Sequence, residues 1–126
     1  MKKILRTENA PQAIGPYSQG VFCGNFLFLS GQIALTASGE CMTDKCVTEQ
    51  TEIIMNNIYN LLGEAKLRFD NVVKTTIFLT DINDFAAVNE VYGRFFQENA
   101  PARSTVAVAA LPKGAKVEIE CTAQWV

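Results

Sequence analysis

Val117-Glu118-Ile119-Glu120-Cys121-Thr122-Ala123-Gln124-Trp125 decides how the chain is layered. Val117, Ile119, Cys121, Ala123 and Trp125 fall on one side of an extended segment; Glu118, Glu120, Thr122 and Gln124 fall on the other. That alternation describes a β-strand with one apolar face and one polar face. The cover for the apolar face lies upstream. From Val47 to about Arg68 the period lengthens, with Val47, Thr51, Ile54, Ile58, Leu61, Leu62 and Ala65 at helical spacing. Such a stripe makes an amphipathic helix. Asp70-Asn71 ends the pattern, and the β-branched run Val73 to Leu79 reads as a strand. A second helix follows, capped by Asp81 or Asn83, with Phe85, Val88, Tyr92 and Phe95 on one stripe.

The remaining segments complete the order. Gln19 to Ser30 reads as a hairpin, because Gly24-Asn25 separates two apolar runs and tolerates the positive φ of a tight turn. Residues 36–46 are a loop. Asn99 to Ala102 is a second loop, Thr105 to Ala109 a short strand, and Leu111-Pro112-Lys113-Gly114 a turn. With a short strand near Lys3 to Arg6 the order is β-β-β-α-β-α-β-β. Two helices cannot cover both faces of a five- or six-stranded sheet, so both are expected on one face of an α+β fold. The other face keeps apolar residues such as Val106 or Val108, depending on register. Oligomerisation through that open face is the expectation.

Composition narrows the functional classes. The chain has 126 residues, 48% of them hydrophobic, which suits a single domain over residues 1–126. Eleven basic against thirteen acidic residues give a net charge of -2, which argues against nucleic acid as a partner. There is no histidine, which removes His-based relays and the His-Glu-x-x-His zinc enzymes. Met1 to Leu5 lacks the apolar stretch of a signal peptide, and no apolar run is long enough to span a membrane. A cytoplasmic protein with no membrane partner is expected. Of the four cysteines, Cys41 and Cys46 lack the companions of a zinc site, and Cys23 and Cys121 read as small core residues. No metal, no cofactor and no activated thiol is expected.

Three features carry candidate chemistry. Arg103 lies in the loop before a strand, between Ala102 and Ser104. It is either a solvated loop arginine or a fork that grips a carboxylate or phosphate in two parallel bonds. Glu118 and Glu120 share one strand face; exposed they are ordinary, but in a cleft one of them becomes a base at neutral pH. Ile14-Gly15-Pro16-Tyr17-Ser18-Gln19 makes a rigid approach to the hairpin and presents Tyr17, as a half-buried turn aromatic or as a pocket wall.

These segments together resemble the RidA/YjgF family of enamine/imine deaminases. Pro101-Ala102-Arg103-Ser104, Val106, Leu111-Pro112 and Val117-Glu118-Ile119-Glu120 look like its C-terminal signature. Asn9-Ala10-Pro11, Ile14 to Gln19 and Ser30-Gly31-Gln32-Ile33 resemble its N-terminal motifs, and Asp81 to Phe85 with Asn89 and Tyr92 its second helix. The resemblance implies a chorismate-mutase-like α+β fold and a homotrimer with ligand clefts between subunits. It implies hydrolysis of 2-iminopropanoate (from 2-aminoacrylate) and 2-iminobutanoate to 2-oxo acids and ammonia, a metabolite-damage-control role needing no cofactor. Arg103 then holds the substrate carboxylate, Glu118 serves the attacking water, and Tyr17, Ser30, Gly31 and Asn89 line or support the cleft. Thr105 stands where some members carry cysteine, a tolerable change if the position offers its backbone N–H. The alternative is a non-enzymatic trimer that binds a 2-oxo acid or another small carboxylate. RNA cleavage ranks below both, because the chain has no basic cluster.

Overall fold

The computed structural model describes residues 2–125. Its elements run β1 (Lys3–Leu5), β2 (Gly20–Cys23), β3 (Phe26–Gln32), α1 (Val47–Glu64), β4 (Val72–Leu79), α2 (Phe85–Gly93), β5 (Ala102–Ala107) and β6 (Val117–Gln124). This is the order read from the pattern. The six strands form one sheet, ordered β1-β2-β3-β6-β4-β5. β4 and β5 are parallel, joined through α2, and every other neighbouring pair is antiparallel. The sheet is therefore mixed.

Strand parity sets the two layers. Leu27, Leu29, Val72, Ile77, Leu79, Val117, Ile119, Cys121 and Ala123 are buried on one side, where they meet Ile54, Met55, Ile58, Leu61 and Leu62 of α1 and Val88 and Tyr92 of α2. Both helices lie on that face. The other face carries Phe28, Thr76, Phe78, Val106, Glu118, Glu120 and Thr122, brought together by strand register. Phe28 is 47% and Val106 42% exposed, so this face holds apolar surface that nothing among the described residues covers.

Four features depart from the sequence reading. α1 stops at Glu64 instead of near Arg68, and Lys66 turns left-handed at φ 60° just beyond it. β5 begins at Ala102, three residues before Thr105, so Arg103 is a strand residue and not a loop residue. Parallel pairing with the regular β4 ladder extends this stretch despite its weak strand propensity. Cys23 is exposed beside the hairpin turn, while Cys121 is buried in the core with its thiol pushed up to about 12 by desolvation. Cys41 has a lowered pKa, held down mainly by a hydrogen bond with the Thr43 hydroxyl at 3.1 Å, so one exposed thiol is more activated than its sequence context indicates.

Candidate active site

The open face of β6 presents Glu118 to a cavity of about 700 Å³. Its walls come from three places: Tyr17 and Ile14 in the first loop, Ser30 and Gly31 at the end of β3, and Pro112 and Lys113 in the turn before β6. Glu120 reaches the same cavity from two residues further along the strand. The pairing of β3 with β6 is irregular between Leu29 and Gln32, which brings Gly31 against the Glu118 side chain. The Glu118 carboxyl has its pKa raised above the ordinary value, first by burial and second by the charge on Glu120. A carboxylate in this condition is a better base near neutral pH than a solvated one.

The loop that carries Tyr17 is fixed by its neighbours. The Ser30 hydroxyl donates to the Ser18 carbonyl and the Ser30 N–H to the Gln19 carbonyl, which ties the loop to β3. Ser30 thus holds the cavity wall through its side chain. Buried Gln19 accepts from the Thr7 N–H at 2.7 Å and donates to the Pro11 carbonyl at 2.8 Å, locking residues 7–11 beneath the loop. Tyr17 is 55% exposed, with its ring on the cavity and its hydroxyl near the Ile14 N–H at 3.4 Å. Away from the cavity, Gln50 of α1 is fully buried. It donates to the Thr43 and Lys45 carbonyls at 3.0 and 2.7 Å and accepts from the Lys116 N–H at 3.1 Å. Gln19 closes the Ile14 to Gln19 motif, whereas Gln50 carries no sequence signal, because a polar residue on a helix reads as solvated until its partners are known.

Arg103 belongs to a second group. Its guanidinium donates to Asn89 Oδ1 of α2 at 2.7 Å and lies over the rings of Phe85 at 5.4 Å and Tyr92 at 5.1 Å. One hydrogen bond and two aromatic faces hold the fork, and its remaining donors meet no acceptor among the described residues. The Tyr92 hydroxyl is anchored in turn on Thr75 at 2.7 Å. Thr105 lies beside Arg103 in a small hollow with Ile77, Leu79 and Val88, and its hydroxyl is buried without a partner. Phe85, on the same helical stripe as Val88 and Tyr92, is 39% exposed and serves as a platform for Arg103.

The predicted residues therefore form two sets: Tyr17, Ser30, Gly31 and Glu118 in the cavity, and Asn89, Arg103 and Thr105 under α2. Among the described residues no three His, Cys, Asp or Glu side chains converge as a metal site, and no helix is long and apolar enough to cross a membrane.

A mixed six-stranded sheet with two helices on one face, an acid in an open cavity and an aromatic-held arginine elsewhere define a small α+β protein of the RidA/YjgF type. The chain belongs to this family: the Endoribonuclease L-PSP family model matches residues 7–125. Protein DfrA of Myxococcus xanthus is 50% identical over 97% of this chain and 95% of its own length. The human 2-iminobutanoate/2-iminopropanoate deaminase is 44% identical over 98% of this chain and 90% of its own. The crystal structure of E. coli TdcF with bound serine has a TM-score of 0.92 at 44% identity, covering 98% of this chain and 99% of that one.

Proposed function

We propose that this protein is an enamine/imine deaminase that hydrolyses 2-iminopropanoate and 2-iminobutanoate to 2-oxo acids and ammonia. The observation that carries the reading is the half-buried Glu118 carboxylate in a roomy cavity, its pKa raised by burial and by Glu120. The name of the human relative supports the substrate class. The serine bound to TdcF supports a pocket for a small carboxylate with nitrogen on its second carbon.

The active unit is a homotrimer in which each cleft takes one set of residues from each of two neighbouring subunits. The uncovered apolar surface on the open sheet face supports assembly through that face. Arg103 of one subunit grips the substrate carboxylate with its free N–H donors, while Asn89, Phe85 and Tyr92 fix its orientation. Glu118 of the neighbour orients a water and takes its proton as the oxygen attacks the imine carbon. A C–O bond forms and the C=N bond becomes single. Glu118 then returns that proton to nitrogen, which gives a carbinolamine; the hydroxyl proton passes to nitrogen by way of the same carboxylate as the C–N bond breaks, so ammonia leaves and the oxygen becomes the carbonyl of the 2-oxo acid. The oxidation states of substrate and product match, so no electron carrier takes part. Positioning supplies the proximity contribution and the base roughly 10²–10⁴-fold.

The test is ammonia release in the presence of an imine-generating dehydratase or amino-acid oxidase, on wild type and on Arg103→Ala. Faster release with wild type alone supports the reading. Equal rates with and without the protein, together with tight 2-oxo acid binding, would make it a carboxylate-binding trimer instead.

A further inference from the structure

We propose that Gly31 is a positioning residue for Glu118: its missing side chain is the slot in which the Glu118 carboxylate lies. The inference rests on the deaminase reading for its effect on turnover, but on geometry alone for the slot. A Cβ placed on Gly31 would overlap the Glu118 Oε2 atom, would stand 2.9 Å from Cδ and 3.2 Å from Cγ, and these three atoms are its nearest neighbours. The collision is with the carboxylate and with nothing else so close.

Backbone conformation does not explain this glycine. The left-handed glycines are Gly15, Gly24, Gly39 and Gly114, and Gly31 is not among them. Gly24 and Gly39 show the reverse case, with φ of 58° and 92° and open space where a Cβ would stand. Gly20 is closed by leucine side chains, Leu29 Cδ2 at 2.9 Å and Leu5 Cδ2 at 3.1 Å, as packing alone produces. At Gly31 the partner is a carboxylate, held against the backbone by the irregular pairing of β3 with β6. The carboxylate thus lies against the Gly31 main chain on one side and faces the cavity on the other.

Glu118 is flexible and opens onto a large cavity. An added methyl group therefore displaces the carboxylate and leaves the strand in place. Gly31→Ala is expected to fold, to lower kcat by about 10²-fold as a misplaced base does, and to leave KM within a few-fold because Arg103 is untouched. The displaced carboxylate gains water, so the Glu118 titration followed by carbon-13 NMR, and with it the acid limb of the rate profile, moves down in pH. A merely structural glycine would move neither.

Gly31→Ala with unchanged kcat and unchanged Glu118 titration overturns the proposal. So does lost kcat with unchanged titration, which would assign Gly31 a different role. A shifted titration with unchanged kcat keeps the slot and refutes Glu118 as the base, which separates the two readings. If Gly31→Ala is unstable, the double variant Gly31→Ala/Glu118→Ala decides. It should melt at the temperature of Glu118→Ala alone, and a further large drop would show that the glycine is needed for some reason other than Glu118.

Discussion

Arg103 and Glu118 lie on opposite faces of one sheet. Arg103 pairs with buried Thr75 and projects toward α2, whereas Glu118 pairs with Phe78 and projects from the open face. Paired residues of neighbouring strands share a face, so the separation follows from register. If Arg103 is the anion clamp and Glu118 the base, as proposed, one chain cannot bring both to a single substrate without rebuilding its sheet.

Arg103→Ala should lose most deaminase activity, and Arg103→Lys most of it too, because an ammonium cannot replace the fork. The Ala variant also gives up the stacking on Phe85 and Tyr92. We expect it to be less stable by about 1 kcal/mol while remaining folded. Steady-state ammonia release and thermal melts measure both, and wild-type turnover by Arg103→Ala would remove the clamp assignment.

Asn89→Asp places a carboxylate where Arg103 now donates to an amide oxygen. The new ion pair competes with the substrate carboxylate for the same fork. KM should rise about tenfold, the scale of one charged hydrogen bond, with a smaller change in kcat. A fall in kcat at constant KM would place Asn89 at the reacting atoms instead.

Much of this arrangement was legible in the sequence, and the missing part has a definite cause. The alternation from Val117 to Trp125 and the stripe from Val47 to Ala65 read correctly because apolar periodicity reports burial directly. Arg103 was misplaced in a loop because Ala102-Arg103-Ser104 has little strand propensity of its own and is extended by pairing with β4. The opposition of Arg103 and Glu118 was invisible for a related reason. It depends on which strands are neighbours and in what register, and the order β3-β6-β4-β5 is not written in any local segment. The contact of Gly31 with Glu118 likewise depends on a pairing irregularity between distant strands.

The pH dependence follows from Glu118. A general base acts when deprotonated, so kcat/KM should rise with pH through the Glu118 pKa, which lies above the usual carboxylate range. Glu120 is the second cause of that elevation. Removing its charge in Glu120→Gln should shift the acid limb to lower pH while plateau activity stays close to wild type. An unmoved limb would mean that a different group controls it.

Thr105→Val should stabilise the protein. The Thr105 hydroxyl is buried without a partner in a hollow lined by Ile77, Leu79 and Val88 as well as Asn89 and Arg103, and an isosteric methyl removes the desolvation cost, worth about 1 kcal/mol. Activity should persist if the position serves the substrate through its backbone alone. A more stable but inactive variant would assign the hydroxyl to the ligand.

Subunit complementation tests the shared cleft most directly. Arg103→Ala and Glu118→Gln should each be nearly inactive alone. Unfolded together in equal amounts and refolded, they should form mixed trimers in which some clefts take an intact Arg103 from one chain and an intact Glu118 from the next. Random assembly in a cyclic trimer makes about a quarter of the clefts complete, so activity should return to about a quarter of refolded wild type. A refolded mixture that forms trimers but stays as inactive as its components would contradict a site built from Arg103 and Glu118 of neighbouring subunits.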